Sequence, residues 1–174
     1  MRRPASRIVA SVGGLGLLRP APGTWASLAA LPLAWPILRA GGPWLLVAAI
    51  AAAATLGVWA VGREVARAGG PGPGLGVHDP QWVVIDEVAG QWIALLPVAF
   101  GAASNGVAYM ALWPGWLAAF ALFRLLDIWK PGPVGWADRR PGAVGVIADD
   151  LVAGALAALG VAVLAGVYHG FLTR

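Results

Sequence analysis

The chain has 174 residues, enough for one domain, but 59% of them are hydrophobic and only 11% charged, against roughly 45–50% and about 25% in a soluble domain. With a mean hydropathy of +0.75, most of the length has nothing to solvate it except lipid or other helices, so a soluble protein is excluded and a single membrane domain over 1–174 is expected. The net charge of +4 is not a nucleic-acid footprint, because the twelve Lys and Arg are scattered between apolar blocks, and the absence of cysteine excludes disulfides, thiolate nucleophiles and thiolate-bound metals.

At the N-terminus Arg2, Arg3 and Arg7 precede an apolar run from Ile8 to Leu18. That order fits a signal peptide, but Arg19-Pro-Ala-Pro-Gly-Thr follows in place of a small-residue cleavage site, and cleavage is not expected. The first apolar block, Ala21 to Leu38, contains Pro22, Pro32 and Pro36, which predict a broken or re-entrant span. Thr24 is either the N-cap of that segment or, with Ser27, part of an anion site built on unpaired N–H groups at a helix start. The blocks Trp44 to Val61 and Leu151 to Tyr168 are free of charge and, at about 18 residues, each read as one crossing. Val88 to Phe123 would form a helix of roughly 54 Å, too long for one crossing, and is read as a hairpin turning at Ser104-Asn105-Gly106. The sum is an all-α polytopic protein with about four to five spans.

All eight carboxylates, Glu64, Asp79, Asp86, Glu87, Asp127, Asp138, Asp149 and Asp150, fall in the two polar segments 62–87 and 124–150. If 88–123 is a hairpin, both segments emerge on one side, and their Lys and Arg content assigns that side to the cytoplasm, with Arg39 and Arg174 facing outward. Val84-Ile-Asp-Glu-Val-Ala-Gly is echoed by Val146-Ile-Ala-Asp-Asp-Leu-Val-Ala-Gly: each is an acid pair at the lip of a span, followed by small residues that let helices approach.

In the structural reading, Asp86 and Asp149 are N-caps while Glu87 and Asp150 complement helix dipoles. That explains one acid of each pair, not two, and leaves Asp127 out. In the functional reading, Asp86, Glu87, Asp127, Asp149 and Asp150 converge from three segments on a hard divalent cation such as Mg2+, which takes oxygen ligands, and supply the acid–base chemistry.

Arg124, Asp127 and Lys130 stand at i, i+3 and i+6, within reach of one another on a helix. They are either structural ion pairs ahead of a helix stop at Pro131 or a functional set in which Lys130 and Arg124 or Arg139 neutralise a phosphate beside the Asp127 carboxylate. Arg140 suits anionic lipid as well as catalysis. His78 and His169 are read as non-ligands, and Trp82, Trp92, Trp129 and Trp136 as interface anchors.

The segments PGTWASLAALP (Pro22 to Pro32), HDPQWVVIDEVAGQW (His78 to Trp92), FRLLDIWKPGPV (Phe123 to Val134) and DRRPGAVGVIADDLVAG (Asp138 to Gly154) together resemble the phosphatidylglycerophosphatase A family, in its order and over most of the chain. The resemblance implies Mg2+ dependence and an active site on the cytoplasmic face of a bacterial inner membrane. It also implies hydrolysis of the phospholipid phosphatidylglycerophosphate to phosphatidylglycerol and phosphate. By motif position it points to Asp86, Glu87, Asp127, Lys130, Asp138, Asp149 and Asp150, with Asp79 supporting. Ala26 and Ala143 stand where the family usually carries glycine, which would narrow a turn's freedom. The rivals are a transporter, whose coupling site would lie near the midplane, and a structural membrane subunit, which would tolerate neutral residues at the acid pairs.

Overall fold

The computed structural model describes residues 4–67 and 81–172. His78 and Asp79 lie outside the described residues. Among these, all regular structure is helical: α1 (Ala5–Ala10), a 3-10 segment (Val12–Leu17), α2 (Pro22–Arg67), α3 (Ile85–Ser104), a 3-10 turn (Tyr109–Leu112), α4 (Trp113–Trp129), α5 (Pro133–Asp138) and α6 (Gly142–Leu172). Three helices, Pro22–Arg67, Tyr109–Trp129 and Gly142–Gly170, are long and apolar enough to cross a membrane.

The long α2 is folded back on itself. Gly41 and Gly42 leave the helical region, Gly42 with φ +67, and Pro43 follows. Only a residue without Cβ adopts that conformation readily, so the reversal falls on the glycines. At one end of the bundle Gly23 meets Glu87, and Gly57 of the returning arm faces Ile85 and Ile147. At the other end Gly42 approaches the Tyr109 hydroxyl, and Trp44 meets Phe100 edge-on at 5.3 Å. The arms 22–40 and 43–67 are therefore antiparallel along α3.

The break expected at the prolines is corrected by this arrangement. Pro32 and Pro36 lie inside a helical arm on its exposed side, where the ring displaces no packed neighbour. The hairpin expected at 104–106 is borne out, since α3 ends at Ser104 and the chain turns through a positive φ at Gly106 before α4.

α3 is the central helix, packed on α2 and α6 and also touching α4. Small residues set its distance from α6. A side chain at Gly90 would meet both the Asp150 carbonyl and the Phe123 ring at 2.6 Å, and one at Gly154 would strike the Gly90 backbone. Trp92 is not an interface anchor as expected. It is buried, and its Nε1–H donates to the Ala30 carbonyl at 2.8 Å, tying α3 to α2.

The last helix also begins earlier than the apolar block suggested. α6 starts at Gly142, whose φ of +82 follows Pro141, so Asp149 and Asp150 lie about two turns inside a helix and cap nothing. Thr24 likewise falls inside the first turn of α2. The departures from the family's glycines do no local harm: Ala26 is buried in helical backbone, and beside Ala143 the left-handed position is held by Gly142.

The N-terminal segment braces the end of the bundle that carries the acids. Ser6 of α1 donates to Glu64 at 2.6 Å and accepts from Arg67, Arg7 lies over the Trp82 ring at 5.0 Å, and the Val84 N–H donates to the Ala10 carbonyl at 2.9 Å. The chain entering α3 is thereby held against α1.

Gly154→Val is expected to push α6 from α3 and lower stability by about 1–3 kcal/mol or more, as overpacking does. Gly166→Val, at a site with nothing within 4 Å, is expected to leave the detergent unfolding temperature unchanged. Thermal unfolding of the two variants checks the contrast.

Candidate active site

Glu87 comes from the first turn of α3, Asp127 from the end of α4 and Asp150 from α6. One carboxylate oxygen from each lies within 4.8 Å of the other two. Like charges this close repel strongly, and the countercharge is Arg124. Its Nη1 donates to Glu87 Oε2 at 2.5 Å and to Asp127 Oδ2 at 2.8 Å. The i, i+3 spacing of Arg124 and Asp127 thus forms the pair that helix geometry allows.

Glu87 is positioned from a third side by α2. Ser27, fully buried, has its hydroxyl 2.8 Å from Glu87 Oε2 and 2.9 Å from the Gly23 carbonyl, and its single proton serves one acceptor at a time. Gly23 offers the other oxygen, Oε1, a place that any side chain would fill. Ser27 therefore orients a carboxylate, while Thr24 lines the pocket above it.

A second charged group lies alongside. Lys130 caps α4 with φ +47, a conformation that turns the chain before Pro131. Its Nζ donates to Asp149 Oδ2 at 2.6 Å and to Asp138 on α5. Burial opposes the Lys130 charge, but the hydrogen bonds and charges of Asp138 and Asp149 outweigh it and hold the ammonium above the ordinary lysine range. Of the adjacent aspartates, Asp150 faces the three-acid cluster and Asp149 faces the lysine. Asp86 is buried, and its Oδ1 accepts the Glu87 N–H at 2.9 Å.

A pocket of about 380 Å³ opens over these groups, walled by the start of α2 (Pro22 to Thr24), by Glu87, and by Arg124, Asp127, Ile128 and Lys130 at the end of α4. Arg139 is exposed and is not among its walls. Arg140 lies over the Trp136 ring at 3.9 Å.

Two features escaped the sequence reading. Gln91 is fully buried one turn along α3 from Glu87, with neither end of its amide bonded to another protein group. A polar side chain inside an apolar block, four residues from a site acid, was the available signal. The Ser6, Glu64 and Arg67 clasp was not legible, because Ser6 is about 60 residues from the i, i+3 pair of Glu64 and Arg67.

Three oxygen donors, in excess of the one guanidinium that bridges two of them, fit a hard divalent cation. Arg124 takes Glu87 Oε2 and Asp127 Oδ2, which leaves each of those carboxylates its other oxygen. Beside this set, Arg124 and Lys130 present positive charge to the same pocket.

Fold and site together place the chain among helical membrane phosphatases. It belongs to the phosphatidylglycerophosphatase A family, whose model matches residues 8–165. A protein named phosphatidylglycerophosphatase A from Escherichia coli (strain K12) is 36% identical over 147 residues, covering 83% of this chain and 74% of that protein. One of the same name from Haemophilus influenzae is 34% identical over 141 residues, covering 80% and 76%. A relative from Bacteroides thetaiotaomicron, provisionally named a phosphatidylinositol-3-phosphatase, is 34% identical over 161 residues, covering 88% and 91%. No solved structure matches the chain.

Because the folded pKa of Lys130 is raised, its contribution to stability is fully present below the unfolded lysine value of about 10.4 and is lost as pH rises through the folded value. The gap in unfolding temperature between the wild type and Lys130→Met is expected to hold from neutral pH to about pH 10 and to shrink only above it. Unfolding in detergent across that range is the measurement.

Proposed function

We propose that this chain is a Mg2+-dependent lipid phosphatase that hydrolyses the terminal phosphomonoester of phosphatidylglycerophosphate to phosphatidylglycerol and inorganic phosphate. The observation that carries the reading is the three-carboxylate cluster, of which Glu87 and Asp127 line the same pocket as Arg124 and Lys130 while Asp150 is buried behind them, in a member of a phosphatase family. Glu87, Asp127 and Asp150 would hold the ion. When bound, it would polarise the phosphoryl oxygens and make a nucleophile available at neutral pH.

The chain's own residues supply the rest. Arg124 and Lys130 bind the phosphate dianion and neutralise charge that builds on it in the transition state. Ser27 keeps Glu87 in one orientation. Asp138 and Asp149 keep Lys130 protonated and pointed at the pocket wall. A carboxylate of the cluster positions the attacking group and takes its proton.

We place the site on the cytoplasmic face of a bacterial inner membrane. Among the described residues, all Lys and Arg except Arg39 lie at the site end of the bundle, the bias that cytoplasmic ends show. Counting the two arms of α2, with α3, α4 and α6, the helices make five crossings in this reading. The acids gather at one end, not at mid-depth, which favours head-group chemistry over ion-coupled transport.

Purified protein in detergent with phosphatidylglycerophosphate tests the proposal. Phosphate release is expected to stop with chelator, to return with Mg2+, and to fall at least about 100-fold in Asp127→Asn and Asp150→Asn. Release that persists in chelator, or survives in both variants, overturns it. The inositol-lipid phosphomonoester suggested by the name of the Bacteroides relative belongs in the same assay as a competing substrate.

A further inference from the structure

The pocket over the acids is open on one flank. Its walls are the start of α2 and the end of α4, with α3 between them. Both helices pack on α3, and α4 also lies along α6, but α2 and α4 barely touch each other. A cleft floored by α3 therefore runs from the pocket down between them.

Helical periodicity identifies its walls. On α2 the face that carries Thr24 continues at Leu28, Leu31 and Trp35. On α4 the face that carries Ile128 and Arg124 continues in the opposite chain direction at Phe120 and Leu117. Leu28, Trp35, Leu117 and Ile128 are exposed, while Leu31 and Phe120 are half-buried. Between the charged mouth and Trp35, over whose ring Arg39 lies at 5.4 Å, the wall residues are all apolar. From Thr24 to Trp35 it descends about 16 Å at the helical rise per residue, a depth that a long acyl chain fills.

We infer that this α2–α4 cleft is the lateral entry for the lipid substrate and holds one of its acyl chains. The inference rests on the lipid-phosphatase reading and names where the substrate sits. A phosphomonoester paired with Arg124 and Lys130 leaves its diacylglycerol part beside Ile128. From there the cleft is an apolar path continuous with the pocket, so the tail stays in hydrocarbon while the head group enters. Bilayer lipid reaches this flank by diffusion in its own plane, and the head group never crosses the membrane.

A second apolar groove, about 210 Å³ between the returning arm of α2 (Ala54, Thr55, Val58) and α6 (Val144, Ile147, Leu151), shares no wall residue with the pocket. It provides the internal control.

Two measurements test the assignment. In the first, Leu28→Trp and Leu117→Trp are assayed in mixed micelles with long-chain phosphatidylglycerophosphate and with its water-soluble dibutyryl analogue. The expected result is a KM raised about tenfold for the long-chain lipid and less than about twofold for the analogue, the size that a misplaced apolar contact predicts, with Val58→Trp altering neither. Equal effects on both substrates, or the same long-chain defect in Val58→Trp, overturn the entry route.

In the second, vesicles carrying a phosphatidic acid with a diazirine on its acyl chain are irradiated with the wild-type protein, and the labelled peptides are mapped. Labels are expected on segments 28–35 and 117–128 and should be displaced by unlabelled phosphatidic acid but not by phosphatidylcholine. Labelling spread equally over other exposed positions such as Leu159 and Val163, or undisplaced, overturns the cleft. This readout needs no turnover, so failure of the phosphatase reading shows in the kinetics alone.

Discussion

Gly90 and Gly154 let α3 and α6 touch backbone to backbone, and the placement of the acids follows from that contact. In a bilayer no hydrophobic force draws helices together, so close association depends on packing, and small residues permit it. Glu87 stands three residues before Gly90 and Asp150 four before Gly154, so each acid lies about one turn from the point of contact. With a wider helix spacing, Asp150 would not reach Glu87 and Asp127. Phe123, packed on Gly90, brings α4 into the same arrangement and sets its neighbour Arg124 over the cluster.

Consecutive residues on a helix point about 100° apart, and this divides the work of the two aspartates on α6. Asp150 turns to the three-acid cluster, and Asp149 turns to Lys130 and α5. The site therefore contains two charge systems beside one pocket, each with more carboxylates than cations: three acids around a guanidinium, and a lysine held ready by two acids. A phosphate ester bound to metal needs both signs within a few ångströms, since its oxygens are anionic and its neutralising ion must itself be held by anions.

Much of this was legible in the sequence because the signals are local. The apolar blocks gave the membrane class, the Ser104-Asn105-Gly106 turn gave the hairpin, and the repeated acid-pair and small-residue pattern marked the two helices that meet. Adjacent acids at Asp149 and Asp150 could not be assigned, because their division depends on where the helix starts, and α6 begins at Gly142 within a stretch whose polarity resembled a loop. The prolines of α2 misled for a related reason. Proline disfavours a helix interior through a lost N–H and a clash, but Pro32 and Pro36 point out of the bundle, while a glycine pair whose effect depends on backbone conformation makes the turn. Trp92 was read from the habit of its residue type, whereas its depth was fixed by a carbonyl on another helix.

The reversal at Gly41 and Gly42 also bears on how the protein enters a membrane. Among the described residues, the end of the bundle that contains this turn has no carboxylate and a single cation, Arg39, whose guanidinium lies over the Trp35 ring at 5.4 Å. If the site end faces the cytoplasm, as proposed, Arg39 is the one cation of the described residues carried through hydrocarbon during insertion, and it is already sheltered against an aromatic face. In that orientation the opposite end, with its acids and clustered arginines, does not make the journey. Biogenesis and catalysis thus ask the same thing of the chain, a lopsided distribution of charge along the membrane normal.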